Sequence, residues 1–159
     1  MRNYNNLITD LDDWDAHNNC EMGPDGWLAG MGSFNYAVAF SSLFWPEFVV
    51  YDNCVFFAPF REHDVQNYSR LPHTSDEDKC RTEVTLNHKH LLDFFPNEEA
   101  KPTREQVIYL GRILKDMWQL KLNRDFPDRV IVVSFPEDYS EDLMDYEITF
   151  WQERESTKG

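Results

Sequence analysis

The stretch TREQVIYLGRILKDMWQLKLNRD, residues 103–125, reads as one long amphipathic helix. Thr103 stands at the N-cap position with Gln106 three residues on. This is the spacing of a capping box, in which each side chain satisfies a backbone N–H that helix geometry leaves unpaired. Val107, Leu110, Ile113, Leu114, Met117, Trp118 and Leu120 recur at helical spacing and form a broad apolar stripe. Arg112, Lys115, Lys121 and Arg124 make the stretch locally basic, and the last two stand where cations favour a helix C-terminus. The helix is expected to end near Asp125, before Phe126-Pro127.

Beyond it, Val130 to Phe135 is a β-branched run. Tyr146 to Trp151 alternates, with Tyr146, Ile148 and Phe150 facing one way and Glu147, Thr149 and Trp151 the other. Two neighbouring antiparallel strands joined by an acidic loop are expected, followed by a frayed tail over 152–159. On the N-terminal side, Ser75 and Asp78 open a second helix with an acidic first turn, suited to the macrodipole. This helix is expected to run to about Phe95, before Pro96, with Cys80, Val84, Leu91 and Phe95 on its apolar side. Arg61 to Thr74 is polar and shows no period. Glu47–Tyr51 and Cys54–Phe57 are rich in Val, Phe and Tyr and flank Asp52-Asn53, a two-residue hairpin signal. Asn35 to Phe44 reads as a short buried helix stopped by Pro46, although residues 36–40 also suit a strand. Residues 1–32 read as an irregular acidic segment. They carry the turn signals Gly23-Pro24-Asp25-Gly26 and Gly30-Met31-Gly32, and Trp14, Trp27 and Leu28 attach the segment to the body.

Grouped strands and grouped helices point to an α+β fold. The expectation is a single domain over 1–159, an antiparallel sheet built from two strand pairs with two or three helices packed on one face. Apolar residues at 42% and aromatics at 15% supply a real core and argue against disorder. No apolar run reaches the length of a membrane span, and the first residues lack the apolar core of a secretory signal, so a cytoplasmic location is expected.

The formal net charge of -14 is concentrated. Asp10, Asp12, Asp13, Asp15, Glu21 and Asp25 form one stretch without a base. Glu137, Asp138, Glu141, Asp142, Asp145 and Glu147 form another, and together the two contribute -12. Such a charge disfavours nucleic acid and anionic membranes and speeds encounter with a cationic partner. It is also ordinary for a solvated cytosolic surface.

The residues that could carry chemistry do not assemble into a motif. Cys20, Cys54 and Cys80 are odd in number, widely spaced and form no CxxC, which argues against a disulfide framework or zinc knuckle. Cys54 lies in an apolar strand with nothing nearby to lower its pKa, so it reads as a core residue and not a nucleophile. In His88-Lys89-His90 the imidazoles would point about 200° apart on a helix and could not share a metal; on a strand they would share a side. His63-Asp64 and His73 lie in the polar connection. The pairs Asp12-Asp13, Glu98-Glu99 and Glu141-Asp142 are adjacent in loops, which suits solvated surface better than paired catalytic carboxylates. No GxSxG, HExxH, P-loop or GxGxxG occurs. No metal, cofactor or catalytic residue is therefore expected. Among the five Trp, Trp151 falls on the strand face of Glu147 and Thr149, where an exposed ring ringed by acids would suit an interface with Arg and Lys.

The segment YLGRILKDMWQLKLNRDFPDRVIVVSFPEDYSEDLMDYEITFWQ, residues 109–152, resembles small, mostly uncharacterised bacterial proteins with a helix, an Asp-Phe-Pro-Asp-Arg turn and a closing strand. In size and acidity the whole chain is similar to immunity proteins of bacterial toxin systems. That likeness implies an inhibitor of a basic partner, such as a nuclease toxin, and carries no site residues with it. The partner-binding surface is expected at Glu137, Asp138, Glu141, Asp142, Asp145, Glu147 and Trp151. The competing readings are an enzyme gathering His63, Asp64, His88 and His90 into one cleft, and an oligomeric scaffold.

Overall fold

The computed structural model describes Tyr4 and residues 6–96, 101–136, 138 and 140–154. Among these the chain runs α1 (Leu11–Asn18), α2 (Gly23–Met31), α3 (Phe34–Phe44), β1 (Phe48–Tyr51), β2 (Cys54–Phe57), α4 (Glu62–Ser69), α5 (Asp76–Asn87), β3 (Lys89–His90), α6 (Arg104–Asp125), β4 (Ile131–Ser134) and β5 (Glu147–Gln152). Short 3-10 turns occupy Leu91–Phe94 and Leu143–Asp145. The class is α+β, with two antiparallel sheets, β1–β2 and β3–β5–β4.

The locally determined elements stand where their signals place them. Thr103 and Gln106 close the capping box of α6, with the Gln106 N–H donating to Thr103 Oγ1 at 3.2 Å and the Thr103 N–H to Gln106 Oε1 at 2.7 Å. The α6 stripe buries Val107, Leu114, Trp118 and Leu122 against Ile131 and Val133 of β4 and Ile148 and Phe150 of β5. Gly111 permits this approach, since a Cβ there would lie 2.1 Å from the Phe135 ring. Asp52 (φ 46°) and Asn53 (φ 64°) both take left-handed backbone, the requirement of the two-residue hairpin between β1 and β2. The Asp52 carboxylate accepts the Tyr68 hydroxyl at 2.5 Å and pairs with Lys79 at 3.1 Å, tying that turn to α4 and α5.

Those two partners, Tyr68 first, hold the Asp52 carboxyl below its usual range. A depressed carboxylate stabilises the fold above its unfolded value, and that contribution disappears as pH falls through the folded value. Acid unfolding should therefore separate wild type from Asp52→Asn. Their stability difference should be constant near neutrality and shrink below about pH 4. A gap that stayed constant into strong acid would show that the carboxylate contributes only its shape.

Several expectations are corrected. There are six α-helices among the described residues, not two or three, and they do not share one face. Successive β5 side chains alternate sides. Ile148 and Phe150 meet α6, whereas Thr149 points the other way and donates its hydroxyl to the Val84 carbonyl of α5 at 2.9 Å. The expected single sheet is two sheets, because β3 takes the first positions of the β5 edge, with Lys89 opposite Ile148 and His90 opposite Glu147. Residues 1–32 are not irregular. Asn19 closes α1 in left-handed backbone (φ 54°), and Pro24 stands in the first turn of α2, where its missing N–H costs nothing. Trp14 lies against Gly30, so the ring and the missing Cβ bring α1 and α2 together. The featureless stretch after Arg61 contains α4, with the Arg61 N–H donating to the Asp64 carboxylate at 2.8 Å. The tail is ordered further than expected. Gln152 belongs to β5 and the Arg154 side chain is 6% exposed; residues 155–159 lie outside the described part.

The largest departure is α5, which ends at Asn87 and not near Phe95. Its buried residues are Thr82, Glu83 and Asn87, not the apolar set read from the sequence. The reason lies in the seam between the sheets. Glu83 accepts the Val55 N–H of β2 at 2.7 Å and the Gln152 N–H of β5 at 3.0 Å, and it pairs with Arg154 at 2.8 Å. Asn87 donates to the Val55 carbonyl at 2.9 Å and the Phe150 carbonyl at 3.1 Å. One helical turn apart, the two side chains take the place of a missing strand and satisfy backbone groups that burial would otherwise orphan.

Candidate functional site

The described acids of the expected C-terminal surface are all exposed, and three of them also hold contacts within the protein. Asp142 accepts the Met144 N–H at 2.9 Å and caps the 3-10 turn, Asp145 accepts the Ser140 hydroxyl, and Glu147 contacts His88. Asp138 and Glu141 are exposed as Asp142, Asp145 and Glu147 are, and Glu137 lies outside the described residues. Trp151 is half-buried on β5 opposite Val132 and is not a projecting ring. The loop is anchored by Arg104, whose Nε donates to the Ser140 carbonyl at 2.9 Å. Two residues along the same helical turn, Gln106 donates to the Leu7 carbonyl at 2.9 Å, just before the N-terminal acidic stretch. Both acidic stretches are thus tethered at the first turn of α6.

Beside that turn lies a feature the sequence reading placed in the core. The helix α3 has no buried residue. Phe34 is 92% exposed, Val38 69% and Tyr36 64%. Leu28 and Met31 of α2 add further exposed apolar surface. The Tyr36 and Phe40 rings stack at 6.2 Å, and Phe40 meets Phe95 at 5.9 Å. Phe40 and Phe44 then enter a cleft of about 910 Å³, lined by Leu7 and Ile8, Leu91 and Phe94, and Val107 and Leu110. The signal that could have found this face is its uniformity. A helix apolar on every side is either wholly buried or presents part of that surface to something else. Between Arg2 and Arg61 the sequence holds eight acids and no Lys or Arg, while Lys121 and Arg124 of α6 stand over the Trp45 ring at the C-terminal end of α3.

The histidines do not converge on one cleft. His63 sits at 2.9 Å from Asp64 on α4, while His73 lies against Tyr68 at 4.8 Å between ring centres. His88 and His90 form a third place, and here the helical expectation is overturned. Because α5 has ended, both imidazoles project to one side, with Nε2 atoms 3.1 Å apart and Glu147 at 3.2 Å from His88. Cys54 is fully buried, and burial first, with Glu83 second, pushes its thiol above the ordinary range. It is a packing residue against Phe56 and Tyr68, as its strand setting suggested.

No protein-family model, no curated protein and no solved structure matches this chain. No described helix is long and apolar enough to cross a membrane.

Proposed function

We propose that this chain is a binding protein that neutralises a basic protein partner, as an immunity protein does a nuclease-type toxin. The observation that carries the reading is the solvent-facing apolar surface of α3. It continues into the cleft beside α6 and lies within a stretch of chain devoid of Lys and Arg. An isolated apolar face of this kind loses solvation free energy until something covers it. The occupant that fits is a cationic, amphipathic segment. Its apolar side chains would fill the cleft and its Lys and Arg would meet Asp138, Glu141 and the acids of α1. Interfaces concentrate their energy in a few central apolar and aromatic anchors, whereas rim charges act mainly on the rate of encounter. The centre of the surface therefore moves from the C-terminal loop to α3, and the exposed acids become its rim.

The test is affinity capture from lysate of the source organism, at low and moderate salt, by wild type and by Phe34→Asp, followed by reconstitution with the purified protein retained. One basic protein held at stoichiometric level by wild type is expected. Phe34→Asp should weaken it by about 2 kcal/mol or more. Neutralising Asp138 and Glu141 should chiefly slow association and flatten its salt dependence. Retention by Phe34→Asp at wild-type affinity would overturn the assignment of the surface. A wild-type dimer in light scattering that Phe34→Asp converts to monomer would make a second copy the occupant instead.

A further inference from the structure

We propose that His88, His90 and Glu147 form a binding site for one divalent transition-metal ion of the zinc class. The backbone alone brings the three together. His88 (φ -71°, ψ 140°) and His90 (φ -75°, ψ 139°) are extended, so their side chains leave the same side of β3. Lys89 between them turns the opposite way and lies over the Phe57 ring at 5.8 Å. Across the ladder His90 stands directly opposite Glu147, and directly opposed residues share a side of the sheet.

The two separations from His88 suit one ion, and turning the half-exposed Glu147 side chain brings the third ligand atom onto it. His88 Nε2 is 3.1 Å from His90 Nε2 and 3.2 Å from Glu147 Oε2, and one ligand atom from each of the three lies within 4.8 Å of the others. A tetrahedral zinc ion with bonds of about 2.0–2.1 Å sets its ligand atoms about 3.3 Å apart. Two imidazoles and a carboxylate, without a thiolate, form a donor set for zinc and its first-row neighbours and not for magnesium or calcium.

Hydrogen bonding orients the ligands. His90 Nδ1 lies 2.8 Å from the Met144 carbonyl oxygen. A carbonyl can only accept, so Nδ1 carries a proton, and the neutral ring then presents its Nε2 lone pair towards His88. A backbone carbonyl in this position is the usual outer partner of a metal-bound imidazole. Met144 is itself held, since its N–H donates to the Asp142 carboxylate at 2.9 Å. An ion pair between a protonated His88 and Glu147 would account for one of the two contacts. It would not account for a second acceptor, His90 Nε2, aimed at the same nitrogen, because a single N–H serves one acceptor well. A cation between them serves all three. With the His88 and Glu147 side chains 41% and 49% exposed, the fourth coordination position opens to solvent.

An ion here joins the end of α5 to β5, so binding should raise the thermal midpoint with free metal concentration. The experiment is calorimetric titration of the chelator-stripped full chain with zinc chloride and, separately, magnesium chloride, with thermal unfolding alongside. One zinc per chain, no heat with magnesium and a rising midpoint are expected. His88→Ala and the isosteric Glu147→Gln should each lose about tenfold or more in zinc affinity. A control variant at an exposed acid of α6, Asp116→Asn, should bind zinc as wild type does. Cobalt(II) in place of zinc should show the absorption of a low-coordinate ion, lost in His90→Gln. Absence of zinc binding at millimolar metal overturns the proposal. So does equal binding by His88→Ala and Glu147→Gln, which would place the ion on the cysteines or the acidic stretches.

Discussion

Replacing Glu83 by alanine should lower the unfolding free energy by about 3–5 kcal/mol, the cost of breaking a buried ion pair by removing one partner. The carboxylate is fully buried and serves three donors at once, the Val55 N–H, the Gln152 N–H and the Arg154 guanidinium. Alanine leaves all three in a place water does not reach. Arg154 keeps backbone carbonyls at Gln152 and Asn53, the Cys54 sulfur at 3.6 Å and a looser pairing with Asp76 at 3.8 Å. Glu83→Gln should cost less, because its one oxygen still accepts from one amide. The measurement is urea denaturation of both variants against wild type. A loss for Glu83→Ala below about 1 kcal/mol would mean that the seam between β2 and β5 admits water and that α5 does not complete the sheets.

Trp118→Ala should cost about 3–5 kcal/mol as well, by a different route. The indole is 1% exposed and lies edge-on to Phe57 at 5.0 Å and to Phe150 at 6.5 Å, so it joins α6 to both sheets. Its Nε1–H donates to the Leu43 carbonyl at 2.8 Å, near the end of α3. Alanine removes the ring and the donor together, whereas Trp118→Phe keeps most of the volume and loses only the hydrogen bond. Phenylalanine should therefore cost about 1–3 kcal/mol, the desolvation of an unpaired carbonyl. Denaturant midpoints of the two variants separate these contributions. Equal losses would show that the bond to Leu43, and not the packing, dominates. Because that bond anchors α3, Trp118→Phe also tests whether the exposed apolar face depends on its tether.

Much of the secondary structure was legible because its causes lie within a few residues. The capping boxes at Ser75 and Thr103, the apolar stripe of α6, the left-handed pair Asp52-Asn53 and the alternation of β5 each involve neighbours in the chain. All stand as their spacing indicates. The N-terminal helices are not legible in the same way. Asn19 and Pro24 mark a helix end and a helix start as readily as they mark loops, and only the contact of Trp14 with Gly30 selects between these.

The sequence by itself determined the α+β class, the hairpin, the long C-terminal helix and the antiparallel pair that follows it. The tertiary structure alone decided where α5 stops and which of its faces is buried. The helical pattern through Leu91 and Phe95 carries less weight than the ladder of β3 with β5, whose partners are more than fifty residues away. Glu83 and Asn87 look like surface residues in the sequence because a polar side chain belongs in a core only when it meets backbone groups that lack other partners. That same early end of α5 turns His88 and His90 to one side. It makes a potential ligand set from residues that a continuous helix would have kept apart. Exposure is the other property the chain could not declare. The apolar helix α3 matches a core element in composition, yet in the fold only Leu43 and Phe44 at its end pack against the core and the rest of it faces solvent.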